Sequence, residues 1–400
     1  MSPAVLVLDN PIQNYAWGSR TAIAELLGRK TPSAEPEAEL WIGAHPKAPS
    51  RIAEPRGMGT LDRAIQDDPV ALLGSDVCDR FGNELPFLFK VLAAGEPLSI
   101  QAHPNQEQAR AGWARENAEG IPLDAPRRSY RDINHKPELV CALTPFTALK
   151  GFRPPGDVAS GLQPIARPEL GAETSRLERE ASPAALRALF ARLMTLDAEE
   201  RAPLLKRAAA EAARRAGDPA WRWVKKLVAA HPGDASALAP LYLNLVTLDP
   251  GEALFLPAGE LHAYLEGTAL EIMANSDNVL RGGLTPKHVD VQELLSVLVF
   301  DAPPLELLTA EAEGPGVSRF RTPAREFELA FVELAADRPH ESGSGRGVEI
   351  LLQLEGSCRI EAQGTAVTLE RGRSVLVPAA VPSYALVGAG RLARARVPAA

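Results

Sequence analysis

The chain has 400 residues, 46% hydrophobic and 24% charged, with 35 prolines, 31 glycines and a formal net charge of -8. This length exceeds one comfortable core and predicts two or three structural units. The acidic balance excludes a nucleic-acid platform, which needs a basic face. No apolar run approaches the ~20 residues that a membrane span requires.

Residues 1 to 153 read as short strands between turns: AVLVLD, AELWIGAH, LPFLFKVLAA, LSIQAH, PELVCALTPF and TALKGFRP. One helical interruption is expected around TLDRAIQDDPVALLG. The start, MSPAVLVLDNP, lacks a basic n-region, so no signal peptide is expected. Cys78, Cys141 and Cys358 are scattered and odd in number, which fits a reducing compartment and a cytoplasmic protein.

From about residue 155 the pattern becomes helical. Ser182-Pro183 is an N-cap followed by proline at the first helical position, with Leu186, Leu189, Phe190 and Leu193 on one face. Asp197 and Asp218 open two further helices. Strand patterning resumes near residue 246, followed by a helix in TPKHVDVQELLSVL and more strands to the end. An internal repeat aligns GEALFLPAGELHAYL from Gly251 with GRSVLVPAAVPSYAL from Gly372, the hairpin pattern of a cupin-type jelly roll. In the first copy the fifth residue after proline is His262; in the second it is Ser383. The reading is mainly β: two cupin-type jelly-roll β-barrels and an α-helical domain. Residues 1–154 with 246–302 form the first barrel, 155–245 the helical insertion and 303–400 a degenerate second barrel.

The chemistry-bearing residues fall at strand spacing. In LSIQAHP, Ser99, Gln101 and His103 alternate and share one face of a strand. Lys136 and Glu138 alternate in INHKPELV, where Pro137 favours an extended chain, and His262 and Tyr264 alternate in ELHAYLEG. A Glu and a Lys turned into a barrel are costly unless paired or bound to a metal. Gln101, His103, Glu138 and His262 together make an N2O2 donor set without thiolate. Such a set suits Zn²⁺ with room for a substrate oxygen and tolerates Fe²⁺, Co²⁺ or Mn²⁺. Each histidine alone would read as a satisfied barrel residue; the set reads as metal ligands. Lys90, flanked by apolar residues, joins Lys136 and Arg281 as a source of positive charge for a phosphorylated or carboxylated substrate. Lys287 reads equally as a helix-start surface residue and as a substrate contact. Glu271 and Asp277 add carboxylates, the latter equally readable as a turn residue.

The blocks QNYAWGS, AELWIGAHPKAPS, LPFLFKVLAAGEPLSIQAHPN, INHKPELVCALTPF and GELHAYLEGTALEIMANSDNVLRGGLTPKHVD resemble the type I phosphomannose isomerase family. The resemblance runs from Pro11 to about Leu298. It implies a two-barrel cupin fold with a helical insertion, and interconversion of mannose 6-phosphate and fructose 6-phosphate through an enediol. It also implies one Zn²⁺ per chain on Gln101, His103, Glu138 and His262, with Arg281 as the essential arginine. Lys136, His135, Glu271, Asp277 and Lys90 would be acid–base and substrate groups, with His135 assisting ring opening, and Ser99 and Tyr264 would line the pocket; Lys287 is a substrate contact on the reading of its position alone. The expected partner is a small phosphosugar, with no nucleic acid and no membrane, and the expected state is a monomer. An iron-dependent cupin dioxygenase and a non-catalytic sugar-binding cupin are the competing readings; the fourth ligand and the density of cations weigh against the first.

Overall fold

The structure is a computed structural model describing residues 5–55, 57 and 59–399. Among those residues the strands gather into two large antiparallel sheets. The first has eleven strands, and its main path runs Leu308–Thr309, Glu252–Leu256, Glu138–Ala142, His262–Ala274, Phe87–Ala94, Glu39–Ile42 and Ile12–Gln13. The thirteen-residue strand His262–Ala274 organises it. Its second half pairs with Phe87–Ala94 and Glu138–Ala142, and its first half with Ile100–Ala102 and Phe146–Phe152. The change of partners happens at Gly267. There φ is +119°, and a Cβ would lie 2.6 Å from the Pro145 carbonyl oxygen, so only glycine fits.

The second sheet has ten strands, ordered Glu311–Gly314, Val317–Arg319, Glu328–Leu334, Ala385–Arg396, Glu349–Ala362, Ser374–Val377, Leu6–Asp9 and Arg51–Glu54, with two strands off the path. Two of its strands therefore come from the N-terminal 1–154 stretch, which the sequence assigned to the first barrel alone. Leu308–Thr309 makes the opposite exchange and pairs with Glu252–Leu256. Leu6 and Leu8 alternate onto a hydrophobic cluster that also holds Phe89, Ile272, Phe327 and Ile350, so one core joins both sheets. The expected closed barrels are not found: among the described residues neither path returns to its first strand. The first path ends on two-residue strands, too short to carry a closing ladder. The second ends on Glu311–Gly314, exposed throughout, where charge blunts the edge.

Between Pro155 and Tyr242 the chain is helical. Ser182, Asp197 and Asp218 each accept hydrogen bonds from backbone N–H groups of the first turn, as N-caps do. Leu186, Leu189, Phe190 and Leu193 are buried together, each contributing about 1.5–3 kcal/mol of hydrophobic stabilisation. The repeat glycines Gly251 and Gly372 both sit in turns, with φ of 93° and 81°. No helix among the described residues is long and apolar enough to cross a membrane.

Candidate active site

Strand register brings the site together. Trp41 and Glu271 flank Lys90 on the neighbouring strands, and Met273 stands opposite Glu138, so these side chains share one face of the first sheet. On the other half of the long strand His262 stands opposite Gln101, which in turn stands opposite Arg281. The face opens into a cavity of about 440 Å³ whose walls include Ser99, Gln101, Lys136, Glu138, Tyr264 and Glu271.

Beside Glu138, which lines this cavity, lie His103 and His262; all three are almost wholly buried, with one donor atom from each within 4.8 Å of the others. His103 Nε2 lies 3.3 Å from Glu138 Oε1, and His262 Nε2 lies 3.4 Å from Oε2. Both rings are held from behind. His103 Nδ1 donates to the Asn278 carbonyl at 2.7 Å and His262 Nδ1 to the Glu260 carbonyl at 3.1 Å. That leaves each Nε2 with its lone pair turned inward. Burial, aided by the Lys136 ammonium, pushes His103 down to about 4. Glu138 is held well below the usual carboxylate range: Lys136 and His103 outweigh the burial that would raise it.

The two Nε2 atoms and both Glu138 oxygens have no hydrogen-bond partner among the described residues. Lys136 Nζ, 2.9 Å from Oε1, forms an ion pair without hydrogen-bond alignment. Four buried, unpartnered donor atoms on two imidazoles and a carboxylate are costly unless a cation joins them. Tetrahedral zinc with bonds of about 2.0–2.2 Å puts its ligands about 3.4 Å apart, close to the spacings seen here. Gln101 lines the cavity beside them, as a fourth donor must. The donor set fits zinc.

Along one wall Lys90 Nζ is 2.9 Å from Glu271 and 3.5 Å from Glu39, and lies over the Trp41 ring at 5.4 Å. Tyr264 donates its hydroxyl to Glu271 at 3.0 Å, and Trp41 Nε1 donates to Glu39 at 2.7 Å. Three buried carboxylates (Glu39, Glu138, Glu271) thus face two ammonium groups. Burial and the other two carboxylates push Glu271 above the usual range, against the pull of Lys90; Lys90 is raised because its two carboxylates overcome its burial.

At the rim Asp277 pairs with Lys47 at 2.7 Å, beside His45. Burial favours its protonation, but Lys47 prevails and lowers its pKa. Lys287 lines the cavity, whereas Arg281 lines a small adjoining crevice with Ser129, Val279 and His288. Both are lowered first by burial, and then by charges that include Arg131, so three cations cluster there. Among the described residues none of the three has a carboxylate within ion-pair distance.

His135 is not brought to the cavity, and Arg281, in its crevice, does not line it either. His135 Nε2 meets Glu326 of the C-terminal region at 2.9 Å. Residues missed in the sequence are Glu39, Trp41, Lys47 and Asn278. Asn278, fully buried, also accepts from the Arg131 and Asp132 N–H groups and donates to the Asn134 carbonyl, tying the metal-facing turn to the segment leading to Lys136.

A family model of the type I phosphomannose isomerase catalytic domain matches residues 5–155. The mannose-6-phosphate isomerase of Salmonella typhimurium is 45% identical over 97% of this chain and 98% of its own length. The human mannose-6-phosphate isomerase is 37% identical over 92% and 89%. A crystal structure of zinc-bound mannose 6-phosphate isomerase superposes with a TM-score of 0.92 at 42% identity, covering 99% of this chain and all of the other. Likeness at this level over the whole length displaces the dioxygenase and non-catalytic readings, and the chain belongs to the type I mannose-6-phosphate isomerase family.

Proposed function

We propose that this chain interconverts mannose 6-phosphate and fructose 6-phosphate through an enediol, using the cavity above His103, Glu138 and His262. The activity is that of the family, a zinc-dependent aldose–ketose isomerase; the division of labour among residues is our reading. Gln101, His103, Glu138 and His262 would hold the ion. When bound, zinc supplies Lewis acidity for the sugar oxygens and offsets their developing negative charge. We read the two sheets as cupin-type, the C-terminal one degenerate, with residues 155–245 as the insertion. We also read the protein as a cytoplasmic monomer.

Isomerisation moves a proton between C2 and C1, and a positioned base speeds that transfer. Glu271 is the base in this reading: it reaches the cavity, its pKa is raised toward the working range, and Tyr264 and Lys90 fix its orientation. Lys136 supplies the positive charge that steadies the enediolate. Ser99 and Tyr264 bound the sugar. Arg281, in the crevice adjoining the cavity, and Lys287, on the cavity wall, hold the phosphate, because among the described residues neither has a carboxylate within ion-pair distance. Asp277 orients Lys47 at the rim. His135, turned toward Glu326, steadies the extended run that carries Lys136. The observation that carries the reading is the set of four buried, unpartnered donor atoms opening on a cavity rich in cations.

The test is metal analysis of the purified protein beside a coupled assay for fructose 6-phosphate formed from mannose 6-phosphate. About one zinc per chain with turnover that follows zinc content is expected. Turnover independent of metal would defeat the reading.

A further inference from the structure

The segment Gly282–Lys287 connects the two cations assigned to the phosphate, and its outer side is hollow. Leu284, Thr285, Pro286 and Lys287 line the substrate cavity. Behind them, Gly283 and Thr285 border a second cavity of about 340 Å³, shared with Leu193, Met194, Asp234 and Ser236 of the helical region. A wall between two cavities lacks close packing on its far side and can recede unless something else holds it.

What holds it is one turn of the helical region. Asp234 Oδ2 accepts from the Leu284 N–H at 2.7 Å, and Oδ1 accepts from the Ser236 N–H at 2.8 Å. Ser236, itself buried, donates its hydroxyl to the Gly282 carbonyl at 3.0 Å. The fit is close. A Cβ on Gly283 would lie 1.8 Å from Ser236 Oγ, and φ there is +120°. Leu284 has φ of 53°, a left-handed conformation that a branched residue adopts only when its surroundings impose it. The Asp234 bond falls on that residue's N–H.

We propose that Asp234 is the positioning residue of the phosphate end of the site, fixing the backbone between Arg281 and Lys287 so that both cations meet one phosphate. This rests on the reading of Arg281 and Lys287 given above. It assigns the helical region a part in substrate binding although Asp234 touches no substrate.

The experiment compares D234N, S236A and K287M in the zinc-loaded full-length protein. It measures inorganic phosphate binding by calorimetry, KM for mannose 6-phosphate, kcat at saturation, and zinc content. In D234N an amide N–H replaces one acceptor. Phosphate binding should weaken and KM rise together by about tenfold, the loss of roughly one hydrogen bond, with kcat and zinc content held. S236A, which keeps both Asp234 bonds, should show a smaller shift of the same kind and covers the case in which D234N does not fold. Unchanged phosphate affinity in D234N, or in S236A should D234N not fold, would overturn the proposal, as would a fall in kcat and zinc content in step with KM. K287M separates the layers. If it weakens phosphate while folded D234N does not, the clamp alone fails; if K287M binds phosphate normally, the phosphate assignment fails and the clamp proposal falls with it.

Discussion

Replacing Lys90 with Met tests whether the carboxylate wall is one coupled system. The ammonium and both partners are nearly buried, with side-chain exposures of 8%, 9% and 4% for Lys90, Glu39 and Glu271. At an effective dielectric constant of about 20, separations of 2.9 and 3.5 Å correspond to gross attractions of about 6 and about 5 kcal/mol. Desolvation offsets much of this, and breaking a buried pair from one side costs about 3–5 kcal/mol. K90M should therefore lose about 4 kcal/mol at pH 8 in urea denaturation followed by tryptophan fluorescence. Protonating Glu271 relieves the loss. Its folded pKa, raised already and further without Lys90, lies above the unfolded value of 4.5. The folded state then binds more protons, so the deficit relative to wild type shrinks as pH falls below the K90M folded pKa, by about 1.4 kcal/mol per unit, until the wild-type folded pKa is reached and both proteins gain alike. K90M/E271Q should recover about 2 kcal/mol at pH 8, because one of the two orphaned charges is gone. A K90M loss under about 1 kcal/mol at pH 8, or a double variant no more stable than K90M, would refute the reasoning.

Chelation of the zinc-loaded protein should abolish turnover and lower the melting temperature, both restored by zinc, since a ligand of the folded state stabilises by mass action; a melting curve indifferent to chelation would place the metal elsewhere. R281A should raise KM for mannose 6-phosphate by tenfold or more, about the loss of a charge-assisted contact, while zinc content stays near wild type. E271Q should lower kcat by about 10²–10⁴-fold with zinc retained, as loss of a general base does, and normal kcat would remove Glu271 from the role. His45 is pushed down to about 4, mainly by burial. As pH falls from 6.5 to 4 the unfolded chain therefore takes up a proton that the folded one refuses, costing roughly 3 kcal/mol in all. H45Q should flatten that acid limb, and parallel limbs in the two proteins would show that another group sets it.

Much of the candidate metal site was legible because its signal is local. Gln101 with His103, at the end of the strand Ile100–Ala102, and Lys136 with Glu138, at the start of the strand Glu138–Ala142, alternate, and two-residue periodicity alone aims each pair one way. The same rule explains His135: next to Lys136 on an extended run, it faces the opposite side and meets Glu326. Glu39 was within reach of that reasoning, since a carboxylate in the apolar run ELWI, two residues from Trp41, is as costly to bury as Lys90. Asn278 and Asp234 were not. Their importance lies in backbone groups they engage, Asn278 across more than 140 residues and Asp234 across 50, and no periodicity encodes such partners. Open sheets in place of closed barrels also escaped, because closure depends on pairing between segments far apart in sequence.

The exchange of strands between the sheets makes the molecule indivisible. Cutting the chain after residue 302 would strip Leu6–Asp9 of Ser374–Val377 and Glu252–Leu256 of Leu308–Thr309. Exposed ladder edges of that kind recruit other chains. The C-terminal region, whose Ser383 stands where the first repeat has His262, therefore covers ladder edges that the rest of the chain would otherwise expose.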